Sequence, residues 1–124
     1  MAKVFLDANY FIGLANRTPE TDPDELENHQ SFISILSCHI LFYVNKIKVP
    51  DMEMISFIQD FNVVELGQET LDIAMGGPTT DLEDNIQLHS AAEAECDYFL
   101  TNDKQILNLK FFGKTRILYN LTIL

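Results

Sequence analysis

The sequence is poor in cysteine, in basic residues and in long apolar runs. Its two cysteines, Cys38 and Cys96, stand far apart and match no metal-binding or redox spacing. Small secreted domains generally carry more, in pairs, so both are expected as buried free thiols in a reducing cytosol. Bases number 8 against 19 acids, a net charge of −11, which argues against broad nucleic-acid affinity through a basic surface. The longest apolar run, Phe32–Val44, is about a dozen residues and holds Ser34, Ser37 and His39, whereas a bilayer span takes about 20. The N-terminal MAKVFLDANY has too short an apolar run for a secretory leader. The expectation is a soluble, cytoplasmic chain with no membrane attachment. Repeats, low-complexity segments and dividing linkers are absent too, so residues 1–124 read as one domain.

What is present is strongly patterned. Apolar residues make up 47% of the chain, enough for a real core at this length. Glu20, Asp22, Asp24, Glu25 and Glu27 crowd one short segment with no base among them, while Lys104, Lys110, Lys114 and Arg116 gather in the last quarter. Either run can be a solvated face. VFLD (4–7) reads as a short buried strand and 8–16 as a helix. The acid-rich 17–30 reads as a loop with one or two helical turns. SFISIL (31–36) reads as a strand, 37–48 as a helix ended by Pro50, 51–61 as a helix, and NVVEL (62–66) as a strand. A short helix over 67–75 closes on Gly76 and Gly77. Thr80 with Glu83 has capping-box spacing and opens a helix through Cys96. YFLT (98–101) is a strand, Asn102 or Asp103 caps a last helix over 104–109, and RILYN (116–120) is a final strand. Strands alternating with helices predict an α/β fold: three layers, α/β/α, around a central, mostly parallel sheet.

In such sheets ligands bind beyond the carboxyl ends of the strands. Asp7 ends the first strand and Asp103 lies two residues past YFLT, so both are placed at that edge. Asp84 starts the long helix at the same edge, and Asp81, three residues earlier, shares its face. Convergent carboxylates repel one another, and a hard divalent cation relieves them. Mg²⁺ takes oxygen ligands, polarises a phosphoryl oxygen and lowers the pKa of water. Without a His or Cys ligand set, this pattern points to phosphodiester chemistry. Structural roles compete: Asp81 and Asp84 suit a helix N-terminus, and Asp103 suits an N-cap. Asp7, at the end of a buried strand, has no evident local job.

VFLDAN near the start, and DLEDNIQLHSAAEAECDYFLTNDKQI late, resemble the PIN domain over nearly the whole chain. The similarity is closest to the small VapC-like toxins of toxin–antitoxin pairs. The resemblance implies a Mg²⁺- or Mn²⁺-dependent endoribonuclease that acts on RNA, forms a homodimer and is inhibited by a cognate antitoxin. Asp7, Asp84 and Asp103 match the catalytic and metal-holding acids, with Asp81 as an outer metal companion. Asn9 and Thr101 match supporting polar positions, and Asn102 adjoins them. Many relatives carry a glutamate in the helix after the second strand. The matching position reads as Ile40 here, between His39 and Leu41, with no acid until Asp51. His39 is then either a substitute ligand or a half-buried histidine at the edge of the core.

Rival readings remain open at this level. A catalytically degenerate PIN-like domain would bind protein or RNA without cutting. A phosphatase of the haloacid dehalogenase type needs a second Asp two residues after the first, and Asn9 stands there. A phosphoacceptor receiver domain needs an Asp at the end of a middle strand, where NVVELGQ offers Glu65.

Overall fold

A computed structural model of the chain describes residues 1–122. The chain runs β1 (Lys3–Leu6), α1 (Ala8–Asn16), a 3₁₀ turn (Pro23–Leu26), β2 (Gln30–Ser34), α2 (Ile35–Val44), α3 (Met52–Ile58) and β3 (Asn62–Val64). Then come α4 (Gln68–Ala74), α5 (Leu82–Glu93), β4 (Tyr98–Leu100), α6 (Lys104–Leu107), β5 (Phe111–Phe112) and β6 (Thr115–Leu118). The sheet order is β3-β2-β1-β4-β6-β5, parallel except for the β5–β6 pair. The three-layer, mostly parallel expectation holds.

The central strands are apolar on both sides because helices cover both faces. Side chains alternate along a strand, so Val4 and Leu6 join one cluster and Phe5 the other. Tyr10 and Phe11 of α1 and Leu41 of α2 fill the first cluster, with Met54 and Phe57 of α3 against them. There Phe11 lies 5.5 Å from the Phe57 ring and 5.2 Å from the Phe61 ring. Leu88 and Ala91 of α5 and Ile106 of α6 fill the second, where Phe5 stacks on Phe99 at 5.5 Å. Cys96 is buried, while Cys38 is only half-buried. Burial pushes the Cys96 thiol up to about 12 and also raises Cys38.

Several boundaries differ from the sequence reading, each for a local reason. β2 stops at Ser34, because the Ser34 hydroxyl accepts from Leu36 N at 3.0 Å and starts α2 there. The helical N-cap thus overrides the strand-like character of Ile35 and Leu36. α5 is capped by Asp81, whose Oδ1 accepts from Asp84 N at 3.0 Å, and not by Thr80. α5 ends at Glu93, and Glu95 takes a left-handed φ of 57°. β5 was not legible as a strand, being two residues long. It pairs with β6 through Gly113, at φ +60°, the first residue of a two-residue hairpin loop.

Candidate metal and catalytic site

The strand register builds the site. Leu6, Leu100 and Leu118 lie side by side on β1, β4 and β6. The ladder continues one residue further: Asp7 N donates to Leu100 O at 3.0 Å, and Thr101 N donates to Leu118 O at 3.1 Å. Asp7 and Thr101 therefore leave neighbouring strands at one edge, next to each other. Thr101 Oγ1 donates to Asp7 Oδ2 at 2.7 Å and accepts from Asp103 N at 3.0 Å. One hydroxyl ties the first acid to the backbone of the last.

Asp7 does have a local structural role, contrary to the sequence reading. It caps α1, with Oδ1 accepting from Ala8 N at 2.8 Å. Asp103 caps α6, accepting from Gln105 N at 2.8 Å and Ile106 N at 3.2 Å. Asp84 differs: it lies in the first turn of α5 and is half-buried, and no cap is assigned to it. Asn85 pins the loop before α5. Its Oδ1 accepts from Thr79 N and Oγ1 at 2.8 and 2.7 Å, and its Nδ2 donates to Ala74 O at 2.9 Å.

The electrostatics show that the acids share one field. Burial raises Asp7 from 3.8 to about 6, with Glu83 and Asp103 adding to the rise and the Thr101 and Ala8 hydrogen bonds opposing it. Burial likewise raises Asp84 from 3.8 to about 7, and Asp81, Asp7, Asp103 and Glu83 all push the same way. Among the described residues no cationic group offsets the charge on Asp84. The structure thus brings the charges of Asp7, Asp81 and Asp103 to bear on Asp84. It adds Glu83, which the sequence reading spent on a capping box. With Asp81 as the cap, Glu83 falls one position too early for that bond, and its carboxylate is left for the site.

The donor set suits a hard cation: it is carboxylate oxygen, with no sulfur or imidazole. Its arrangement is looser. Among the described residues no three His, Cys, Asp or Glu side chains form a ready ligand set as they stand. The caps explain this, since they aim one oxygen each of Asp7, Asp81 and Asp103 at backbone N–H groups.

Of the supporting polar positions, Thr101 is buried and bridges two acids, whereas Asn9 and Asn102 are exposed. His39 is exposed, so it is not a half-buried histidine of the core edge. Ile40 is half-buried. The α2 side chain that meets α5 is Ser37, fully buried, whose hydroxyl accepts from Gln87 Nε2 at 3.0 Å. Gln87 follows Asp84 by three residues on the same helix face. Sequence reasoning missed this pair: Ser37 stood out as a polar residue in a mostly apolar stretch, but Gln87 lies in an α5 rich in polar residues and gave no such signal.

No helix among the described residues is long and apolar enough to cross a membrane. No family model and no curated protein sequence matches the chain. Among solved structures it is similar to a chain in the crystal structure of VapBC2 from Rickettsia felis bound to a DNA fragment from its promoter. The match has a TM-score of 0.65 at 14% identity and covers 94% of this chain and 97% of that one. At that identity the likeness establishes the fold, a PIN-like α/β/α sandwich around a mostly parallel sheet.

Proposed function

We propose that this protein is a Mg²⁺- or Mn²⁺-dependent endoribonuclease, the toxin of a toxin–antitoxin pair. The observation that carries the reading is that one Thr101 hydroxyl ties Asp7 to the backbone of Asp103 at the carboxyl edge of a PIN-like sheet, with Asp84 in the first turn of α5. Asp84, Asp103 and Asp7 would hold the cation, with Asp81 and Glu83 around them. The cation, when bound, neutralises the acids and polarises a phosphoryl oxygen. Thr101 keeps Asp7 oriented and charged by donating to Oδ2. Asp103, at the start of α6, is fixed to the same hydroxyl through its backbone N–H. Exposed Lys104, next to Asp103 at the start of α6, would steer the phosphate backbone at this edge, whereas Lys114 and Arg116 lie at the amino end of β6. The test is cleavage of a fluorescent RNA with Mn²⁺ and with EDTA. Cleavage that survives EDTA, or that Asp84→Asn leaves intact, overturns the reading.

We propose a groove beside α1 as the antitoxin's seat. A groove of about 790 Å³ opens between the C-terminal half of α1 and α3, floored by Leu14, Ala15, Met54 and Phe57 and edged by Glu53 and Asp60. It adjoins a second hollow of about 500 Å³ that reaches Glu27. An apolar floor with Glu53 and Asp60 on one wall and Arg17 on the other suits an amphipathic helix that carries basic residues toward the acidic wall. The neighbour's VapBC2 complex supports a partner of the antitoxin kind. For the expected homodimer, Tyr43, Val49 and Met52, at the end of α2, in the connection and at the start of α3, are each exposed apolar side chains, 78%, 77% and 73% accessible. Sedimentation velocity tests it.

One observation favours a second reading. Asp7, Asp81 and Asp103 are all engaged as helix caps, and no three ligands are gathered. A PIN-like fold that binds a partner without cutting would look the same. Calorimetric titration with Mn²⁺ separates the two: no binding at millimolar metal supports the second.

A further inference from the structure

The strand register sets three side chains in a row across the far half of the sheet. Tyr98 of β4 pairs with Arg116 of β6, and Arg116 pairs with Phe111 of β5. Partners directly opposite on neighbouring strands point to the same face. That face also holds Val4, which pairs with Tyr98, and Leu118, two residues past Arg116; both belong to the first apolar cluster. α1 and α2 cover this face over β1 and β2. The helix packed on β6 is α6, which buries Ile106 and Leu107 in the second cluster, on the opposite face. The row is therefore left open: Arg116 is exposed, Phe111 is 59% exposed and Tyr98 is half-buried. The next residue, Phe112, turns to the other face and sets its ring edge-on to His89 of α5 at 4.8 Å, which fastens the hairpin. Among the described residues, neither the Tyr98 nor the Phe111 ring stacks on another ring or lies under a cation.

The charge of this corner is opposite to that of the chain. All 19 acids precede Lys104; from there to Leu124 the sequence carries Lys104, Lys110, Lys114 and Arg116 and no acid. Lys110 and Lys114 flank β5 and are exposed. Asp97, just before β4, turns its Oδ2 to Lys3 N at 2.9 Å, toward β1 and so to the side of β4 away from β6. In a protein of net charge −11, a basic corner with two open aromatic rings selects an anionic ligand that has flat faces. Unpaired bases on a phosphate backbone have both properties, whereas a duplex hides its base faces.

We infer that the Tyr98–Arg116–Phe111 row is a stacking platform for single-stranded RNA, with Lys110 and Lys114 holding its phosphates. That the strand is RNA rests on the ribonuclease reading above. Tyr98 stands three residues before Thr101, about 10 Å of strand from the hydroxyl that ties the acids. The platform therefore holds RNA beside the cation site and not in it, and its loss should raise KM and leave kcat.

The experiment is fluorescence anisotropy of a labelled oligouridylate of roughly 12 nucleotides, in EDTA, where a metal-dependent nuclease leaves it intact. Phe111→Ala is expected to bind about 10-fold more weakly than wild type, with an unchanged melting temperature because the ring is exposed. Lys110→Ala with Lys114→Ala should lower the slope of log affinity against log salt by about 1.4. Lys46→Ala with Lys48→Ala makes the same change in net charge between α2 and α3 and should keep the wild-type slope. The sequence has no tryptophan, so Phe111→Trp supplies a lone indole. A stacked base should quench its emission, with affinity at least that of wild type. The inference is overturned by no binding to wild type, by wild-type affinity in Phe111→Ala, or by an unquenched Phe111→Trp. Equal slopes in the two lysine pairs, or tighter binding of the same strand annealed to oligoadenylate, would also overturn it. Binding that depends on the row, without metal-dependent cleavage, would support the platform and overturn the ribonuclease reading alone.

Discussion

Thr101 Oγ1 lies 2.7 Å from Asp7 Oδ2, across the last rung of the β1–β4 ladder. That bond joins residues far apart in sequence, and it is the strongest local force keeping the Asp7 carboxyl ionised against its burial. Thr101→Val keeps the β-branched shape and removes the hydroxyl. It also strips Asp103 N of its acceptor. The expected cost is about 1–3 kcal/mol of stability, with the Asp7 carboxyl titrating above 6. Urea unfolding and carboxyl-carbon NMR measure the two effects separately. A variant with unchanged stability and titration would show that the bridge does not hold the site.

The raised carboxyls make metal-free stability depend on pH. Asp7 moves from 3.8 to about 6 and Asp84 from 3.8 to about 7. Below about pH 4 both are protonated whether the chain is folded or not, and burial carries no charge penalty. Between there and pH 7 the folded state holds more protons, so stability falls as pH rises. For buried Asp7 the loss is on the order of 2–3 kcal/mol. Half-buried Asp84 adds less, since solvent screens it. In EDTA the protein should therefore be more stable at pH 5 than at pH 8. Asp7→Asn should flatten that slope and raise the melting temperature at pH 8. Adding Mn²⁺ at pH 8 should stabilise wild type more than the variant. A wild-type protein that gains stability toward pH 8 without metal contradicts the site electrostatics.

Much of this was legible in the chain, because the elements that matter are punctuated. Asp7 follows VFL, and the α1 boundaries Ala8–Asn16 agree with the reading from apolar grouping alone. The three-layer plan followed from alternation. What the sequence hid was competition among neighbours. Between Ser34 and Leu36 a hydroxyl cap competed with strand propensity, and the cap won. In TTDLED there were two possible caps, and choosing Thr80 took Glu83 out of the site. The acid edge could be anticipated because strand ends are countable. Contact of Ser37 with Gln87, fifty positions away, could not, because it depends on how α2 packs beside α5.

Asn85 decides whether the acids of α5 stay in place. Buried to 3% exposure, it spends both side-chain atoms on Thr79 and Ala74, holding the chain between α4 and α5. Asn85→Ala leaves Thr79 N without its acceptor and takes one of two donors from Ala74 O, which keeps Gly77 N at 3.3 Å, a loss of about 1–3 kcal/mol. Asn85→Asp keeps the acceptor but loses the donor and adds a charge beside Asp84. It should be worse at pH 8 than at pH 5. Thermal melts of both variants at the two pH values check this, and a mild, pH-independent loss in Asn85→Asp would show that the loop is held by something else.

The groove between α1 and α3 gives a prediction that does not depend on catalysis. Asp7 caps the N-terminus of α1, while Leu14, Ala15 and Arg17 at its other end line the groove. Its close wall depends on Gly13, where a Cβ would come within 2.7 Å of Thr21 Cγ2 and 2.8 Å of Thr18 Oγ1. A fluorescent, helical Leu/Lys peptide of roughly 15 residues, about four helical turns, is the probe. Wild type should bind it more tightly than a scrambled peptide of the same composition, since only the ordered one presents an apolar stripe to Met54 and Phe57. Reversing both rim charges, Glu53→Lys with Asp60→Lys, should weaken binding about 10-fold, two exposed pairs at under 1 kcal/mol each. Reversing Glu69 and Asp72 on α4 instead, in a chain of the same net charge, should weaken it far less. Equal losses in the two double variants would mean that the peptide reads only overall charge, and the groove would then have no claim as the partner's seat.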